Sequence, residues 1–138
     1  MRETKTLTVK ASDQSMQNVN DFIHSMLPPD CDAMLLNQID LAVEEIFVNI
    51  AHYSGAPEAT VNCTFDSENG GLLELAFIDS GKPFNPLEKP DPDLTLSAEE
   101  REIGGLGIFL TKKFMDLVEY EFADGKNCLK IKKKLLHG

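Results

Sequence analysis

Apolar positions recur along residues 35–50 with a helical period. Leu35, Ile39, Ala42, Ile46 and Ile50 share one face at about 100° per residue, with Leu36 and Val43 beside it. The spacing predicts a long helix over residues 32–53, about 33 Å at 1.5 Å per residue, started by Asp30 or Asp32. Ser54-Gly55-Ala56-Pro57 stops it. An earlier helix carries Met16, Val19, Ile23 and Met26 on its apolar face, with Ser12 or Asp13 as cap and Pro28-Pro29 as terminator. Strict alternation marks strands at residues 4–9, with Leu7 and Val9 on one side, and around Val61, Cys63 and Phe65. Residues 72–78 are nearly all apolar and predict a central strand. Residues 108–115 read as a helix that begins there or within the preceding glycines. Residues 117–122 and 128–135 read as two strands joined by a turn at 123–127. The order β-α-α-β-β-loop-α-β-β groups strands in hairpins. It predicts an α+β fold, a two-layer α/β sandwich whose mixed, mainly antiparallel sheet carries helices on one face.

Charge and composition narrow the class. The 138 residues fit one domain, 1–138. A net charge of −10 argues against sequence-independent nucleic-acid binding, which needs a basic surface. No apolar run approaches a membrane span, and the first residues do not resemble a signal peptide. Cys31, Cys63 and Cys128 are odd in number and far apart, which points to reduced thiols in a cytoplasmic protein rather than a zinc site.

Three places carry chemistry. Glu45 and Asn49 lie one turn apart at the edge of the buried helix face, whereas Glu44 points to solvent. A carboxylate can orient a hydroxyl, and a carboxamide oxygen suits Mg²⁺; two residues at the water boundary of an amphipathic helix is the plainer reading. His52 falls on the same flank. Asp79 ends the most apolar strand, where a carboxylate needs a partner. It either caps its own turn or accepts the exocyclic amine of adenine, with Gly81 letting the backbone approach a flat base. Gly104-Gly105-Leu106-Gly107 before a helix is a candidate phosphate cradle or a tight packing turn. It matches neither a P-loop nor a Rossmann fingerprint. Of the nearby bases Lys82, Arg101, Lys112 and Lys113, Arg101 is the best placed for phosphate. The proline- and charge-rich residues 80–101 are long for a connection and suit a lid.

In this order the pieces resemble the GHKL (histidine-kinase-like, Bergerat-fold) ATPase superfamily, and within it the small anti-sigma factor serine kinases. Glu45-x-x-x-Asn49 is similar to the N box, Asp79-x-Gly81-x-x-Phe84 to the G1 box and Gly105-x-Gly107 to the G2 box. The resemblance runs over nearly the whole chain. It implies ATP and Mg²⁺, with Glu45 as catalytic base, Asn49 as metal ligand and Asp79 reading adenine. The nucleotide set it implies is Asn49, Asp79, Gly81, Phe84, Arg101, Gly104, Gly105, Leu106, Gly107 and Thr111, with an ATP lid over about 82–103. It further implies a homodimer that phosphorylates a serine of an anti-anti-sigma (STAS-type) partner and sequesters a sigma factor. The alternative is a nucleotide-binding partner switch without significant transfer. The expectation is therefore not a full histidine kinase, since no phosphoacceptor-histidine domain or sensor segment is read in these residues. One departure stands out: the family's N box commonly has a histidine four residues after the asparagine, where this chain has Tyr53.

Overall fold

The computed structural model describes residues 2–68, 71–88 and 105–135, with backbone alone for 105 and 106. The elements are β1 (Arg2–Lys10), α1 (Met16–Met26), α2 (Ala33–Asn49), β2 (Glu58–Asp66), β3 (Leu72–Asp79), α3 (Gly105–Phe114), β4 (Leu117–Ala123) and β5 (Lys126–Lys134). The strands form one sheet in the order β1-β2-β3-β5-β4. All four pairings are antiparallel, which narrows the mixed, mainly antiparallel sheet that was expected.

Alternation decides which face of the sheet is covered. Ala59, Val61 and Cys63 of β2, Leu73, Leu75 and Phe77 of β3, and Leu129 and Ile131 of β5 are buried on one face. They meet Val19 and Ile23 of α1 and Ile39, Val43, Ile46 and Phe47 of α2 in one core. The opposite face is polar. Thr4 pairs with Thr64 at 2.9 Å, Thr6 with Asn62 at 2.9 Å and Thr8 with Thr60 at 3.0 Å, and Lys130 meets Glu74 at 3.6 Å. The sheet is therefore one layer and the helices the other. β3 takes the centre because its even positions, Leu72, Ala76 and Ile78, are also half-buried.

Helix boundaries follow local chemistry. The Asp32 carboxylate accepts the Met34 N–H at 2.9 Å and caps α2, as its position predicts. Neither Ser12 nor Asp13 caps α1. Residues Asp13–Ser15 form a 3₁₀ turn instead, and α1 begins at Met16. The long helix keeps its α form only to Asn49. Ile50–Ser54 is a π turn, ended by Gly55 at φ 76°. The last hairpin is tighter than expected: Asp124 (φ 55°) and Gly125 (φ 76°) make the reversal alone, so Asn127 belongs to β5 rather than to a turn over 123–127.

Candidate functional site

The alternation of β3 carries Asp79 onto the buried face, 4% exposed. Its Oδ1 accepts the Gly81 N–H at 2.9 Å and the Asn127 Nδ2 at 3.1 Å. The local cap is therefore real, but it engages one oxygen. Oδ2 has no partner among the described residues. Asp79 lines a small cleft together with Asn127, Tyr120, Phe77, Asn49 and Phe84. The space it encloses is about 20 Å³, room for about one water. Burial, with the charges of Asp79 and Glu88 adding to it, pushes the Tyr120 phenol above its ordinary pKa.

Asn49 reaches the cleft from the last α turn of α2. Its Nδ2 donates to the Glu45 carbonyl at 2.9 Å and to Glu45 Oε1 at 3.2 Å. This leaves the amide oxygen unpartnered among the described residues, the hard donor that Mg²⁺ takes. Glu45 does not line the same cleft. It borders a neighbouring hollow with Leu41, Glu44, Val48 and Gly107. A Cβ at Gly107 would sit 2.2 Å from the Glu45 carboxylate, so glycine is what leaves room for the Glu45 side chain in this rotamer. Among the described residues no three His, Cys, Asp or Glu side chains group to hold a metal. A cation here would depend on Asn49, phosphate oxygens and water.

Several expected placements change. Gly81 does make a close approach, but to protein: a Cβ there would lie 2.2 Å from the Ser54 carbonyl, and Lys82 N donates to that same carbonyl at 2.9 Å. Thr111 is fully buried, and its hydroxyl donates to the Gly107 carbonyl at 2.8 Å. Gly105 opens α3, which places the glycine pair at a helix N-terminus. Arg101, Gly104 and lid residues 89–103 lie outside the described residues, as does the Leu106 side chain. His52 leaves the flank it shares with Glu45 on an ideal helix. The π turn changes the phase, and its Nε2 meets the Asp13 carboxylate at 2.9 Å. Tyr53 stacks on Phe84, with centroids 5.4 Å apart and planes at 26°.

Sequence reasoning missed Asn127, Tyr120 and Ser54, all at the cleft. The Asp-Gly pair was the available signal for Asn127, because a two-residue turn places it in the strand. Burial pushes the Cys63 thiol up to about 12, and Cys31 and Cys128 are also raised, chiefly by burial.

Known proteins resemble this chain in sequence and in fold. A sequence profile described as the histidine kinase-like ATPase domain matches residues 9–133. The serine/threonine-protein kinase BtrW of Bordetella bronchiseptica is 27% identical over 108 residues, covering 77% of this chain and 75% of that protein. The crystal structure of the RsbU and RsbW domains of Rv1364c from Mycobacterium tuberculosis matches 96% of this chain with a TM-score of 0.66 and 13% identity. The chain spans 32% of that longer one, and at this identity the likeness is one of fold.

Proposed function

The chain belongs to the histidine kinase-like ATPase domain family, and from that premise we propose that it is an ATP- and Mg²⁺-dependent protein serine kinase of the anti-sigma type. The observation that carries the reading is the pairing of Asn49 and Asp79 across one cleft, with Glu45 bonded to Asn49 one turn away. In this reading Asp79 accepts the adenine amine through Oδ2. Asn49 would hold Mg²⁺ through its amide oxygen, and the chemistry supplied there would be charge neutralisation at the phosphates. Glu45 takes the proton of a serine hydroxyl on a protein partner. The serine oxygen bonds the γ-phosphorus while the bond from that phosphorus to the β,γ-bridging oxygen breaks, releasing ADP. The name of the BtrW relative supports a serine/threonine kinase. The acceptor is then an anti-anti-sigma (STAS-type) protein and the sequestered partner a sigma factor, with the chain acting as a homodimer and one domain, cytoplasmic, its lid over about 82–103.

A second reading is favoured by one observation. The Glu45 carboxylate is bonded by Asn49 and packed on Gly107, an arrangement that suits a nucleotide-dependent switch in which Glu45 is structural. Calorimetric titration with ATP, with and without Mg²⁺, is the first test. Wild type binds in a Mg²⁺-enhanced manner, and Asp79→Asn weakens binding by about tenfold to 100-fold, the worth of a charged hydrogen bond of roughly 1.5–3 kcal/mol. Absence of binding by folded wild type sinks the nucleotide reading. Transfer of labelled γ-phosphate to a STAS-type protein then separates the two. Glu45→Ala lowers the rate by about 100-fold or more if Glu45 is the base, and leaves ATP affinity within about threefold. Wild-type binding without transfer to any STAS-type acceptor supports the switch.

A further inference from the structure

Asn127 is 4% exposed, and every hydrogen-bonding position of its carboxamide is used. Nδ2 donates to Asp79 Oδ1 at 3.1 Å and to the Lys82 carbonyl at 2.8 Å. Oδ1 accepts the Phe84 N–H at 3.0 Å and the Tyr120 hydroxyl. A carboxamide has two N–H donors and two lone pairs, so nothing is left over. Only one orientation works. Turning the amide over would set its NH₂ against the Phe84 N–H and its oxygen against the Lys82 carbonyl. The cause is register: Asn127 stands opposite Asp79 in the β3–β5 pairing, on the buried face.

The same short segment is gripped from its other side. Lys82 N donates to the Ser54 carbonyl, Gly81 lies against Ser54, and the Phe84 ring stacks on Tyr53. Residues 81–84 are thus held between the end of α2 and the start of β5. Asp79 Oδ1 is committed to this clamp through Gly81 N and Asn127 Nδ2, and Oδ2 is the acceptor left over in the cleft.

We propose that Asn127 is a positioning residue for nucleobase choice: by holding Asp79 Oδ1 through its Nδ2, it presents Asp79 Oδ2 to the exocyclic amine of adenine. This rests on the nucleotide reading of the cleft. Asn127 touches no base in this account. It acts through Asp79, and its signature is discrimination rather than affinity alone. Loss of a merely structural residue weakens all purine nucleotides together. Loss of a positioning residue weakens those that carry the amine.

The test compares ATP with purine riboside 5′-triphosphate, which lacks the 6-amine, by calorimetry on the full chain. Wild type prefers ATP by about tenfold to 100-fold, since the analogue leaves a buried carboxylate oxygen unpaired. Asn127→Ala brings that ratio to within about threefold of unity while affinity for the analogue stays within about threefold. If Asn127→Ala does not fold, Asn127→Leu keeps the volume and the shape. It removes the donors to Asp79 and Lys82, and the preference is again lost. A ratio that survives in the folded variant, or equal weakening of both nucleotides, overturns the proposal and leaves the nucleotide reading standing. Failure of wild type to bind either nucleotide overturns both.

Discussion

Two glycines of the candidate boxes show how much a single Cβ decides. At Gly81 the missing atom would meet a backbone carbonyl, that of Ser54, at 2.2 Å. Backbone at the end of a packed helix cannot step aside, so Gly81→Ala should cost about 1–3 kcal/mol in urea unfolding. At Gly107 the missing atom would meet the far end of a side chain, the Glu45 carboxylate. Glu45 can rotate away, and alanine gains up to about 1 kcal/mol of helix propensity over glycine. Gly107→Ala should therefore leave stability within about 1 kcal/mol of wild type. Its effect should appear in phosphoryl transfer, which drops as Glu45 leaves Asn49; transfer at the wild-type rate would argue that the Glu45–Asn49 contact is not the working geometry. The contrast between Glu44 and Glu45 was legible on a helical wheel, because it needs only the 100° step: Glu44 is exposed and Glu45 half-buried. The partner of His52 was not, because the wheel assumes an unbroken α-helix.

Among the elements, the end of α2 and the β4–β5 hairpin shape the cleft. The π turn Ile50–Ser54 carries Tyr53 to Phe84 and Ser54 to Lys82. Its presence in an apolar helical pattern has no sequence signature beyond the Gly55 that ends it. The hairpin depends on positive φ at both Asp124 and Gly125. A β-branched residue is strained there, so Gly125→Val should destabilise by about 1–2 kcal/mol. The hairpin also sets the register that faces Asn127 with Asp79. The same variant should thus weaken ATP binding beyond what unfolding alone accounts for, as read by calorimetry well below its melting temperature. Retention of full ATP affinity would show that the register is set by β3–β5 pairing alone.

For the whole molecule, one core between sheet and helices decides both stability and its pH dependence. Cys63 is fully buried in that core, and burial raises its pKa from about 9 to about 12. The unfolded chain loses the thiol proton first on going up in pH. Between pH 9 and 12 it therefore binds fewer protons than the native state, and stability falls as pH rises. Below pH 9 both states keep the proton and the contribution is flat. Urea unfolding of wild type and Cys63→Ala across this range should show the steeper decline in wild type; parallel curves would contradict it. Lysines and tyrosines titrate in both proteins, so the difference isolates the thiol.

Periodicity alone determined the strands, the two-layer α+β arrangement and the core stripe of α2, because burial of an amphipathic face follows directly from residue spacing. It also put Glu45 and Asn49 one turn apart, and Asp79 at a strand end. Tertiary structure decided what those groups face. The β3–β5 register brings Asn127, distant in sequence, against Asp79 and turns a strand-end acid into one with a bonded oxygen and one unbonded among the described residues. Packing of α3 on α2 puts Gly107 against Glu45. A π turn at the end of α2 sends His52 to Asp13 and Tyr53 to Phe84. Each of these depends on contacts between segments far apart in the chain, or on a helix leaving its regular period, and neither is written in local spacing.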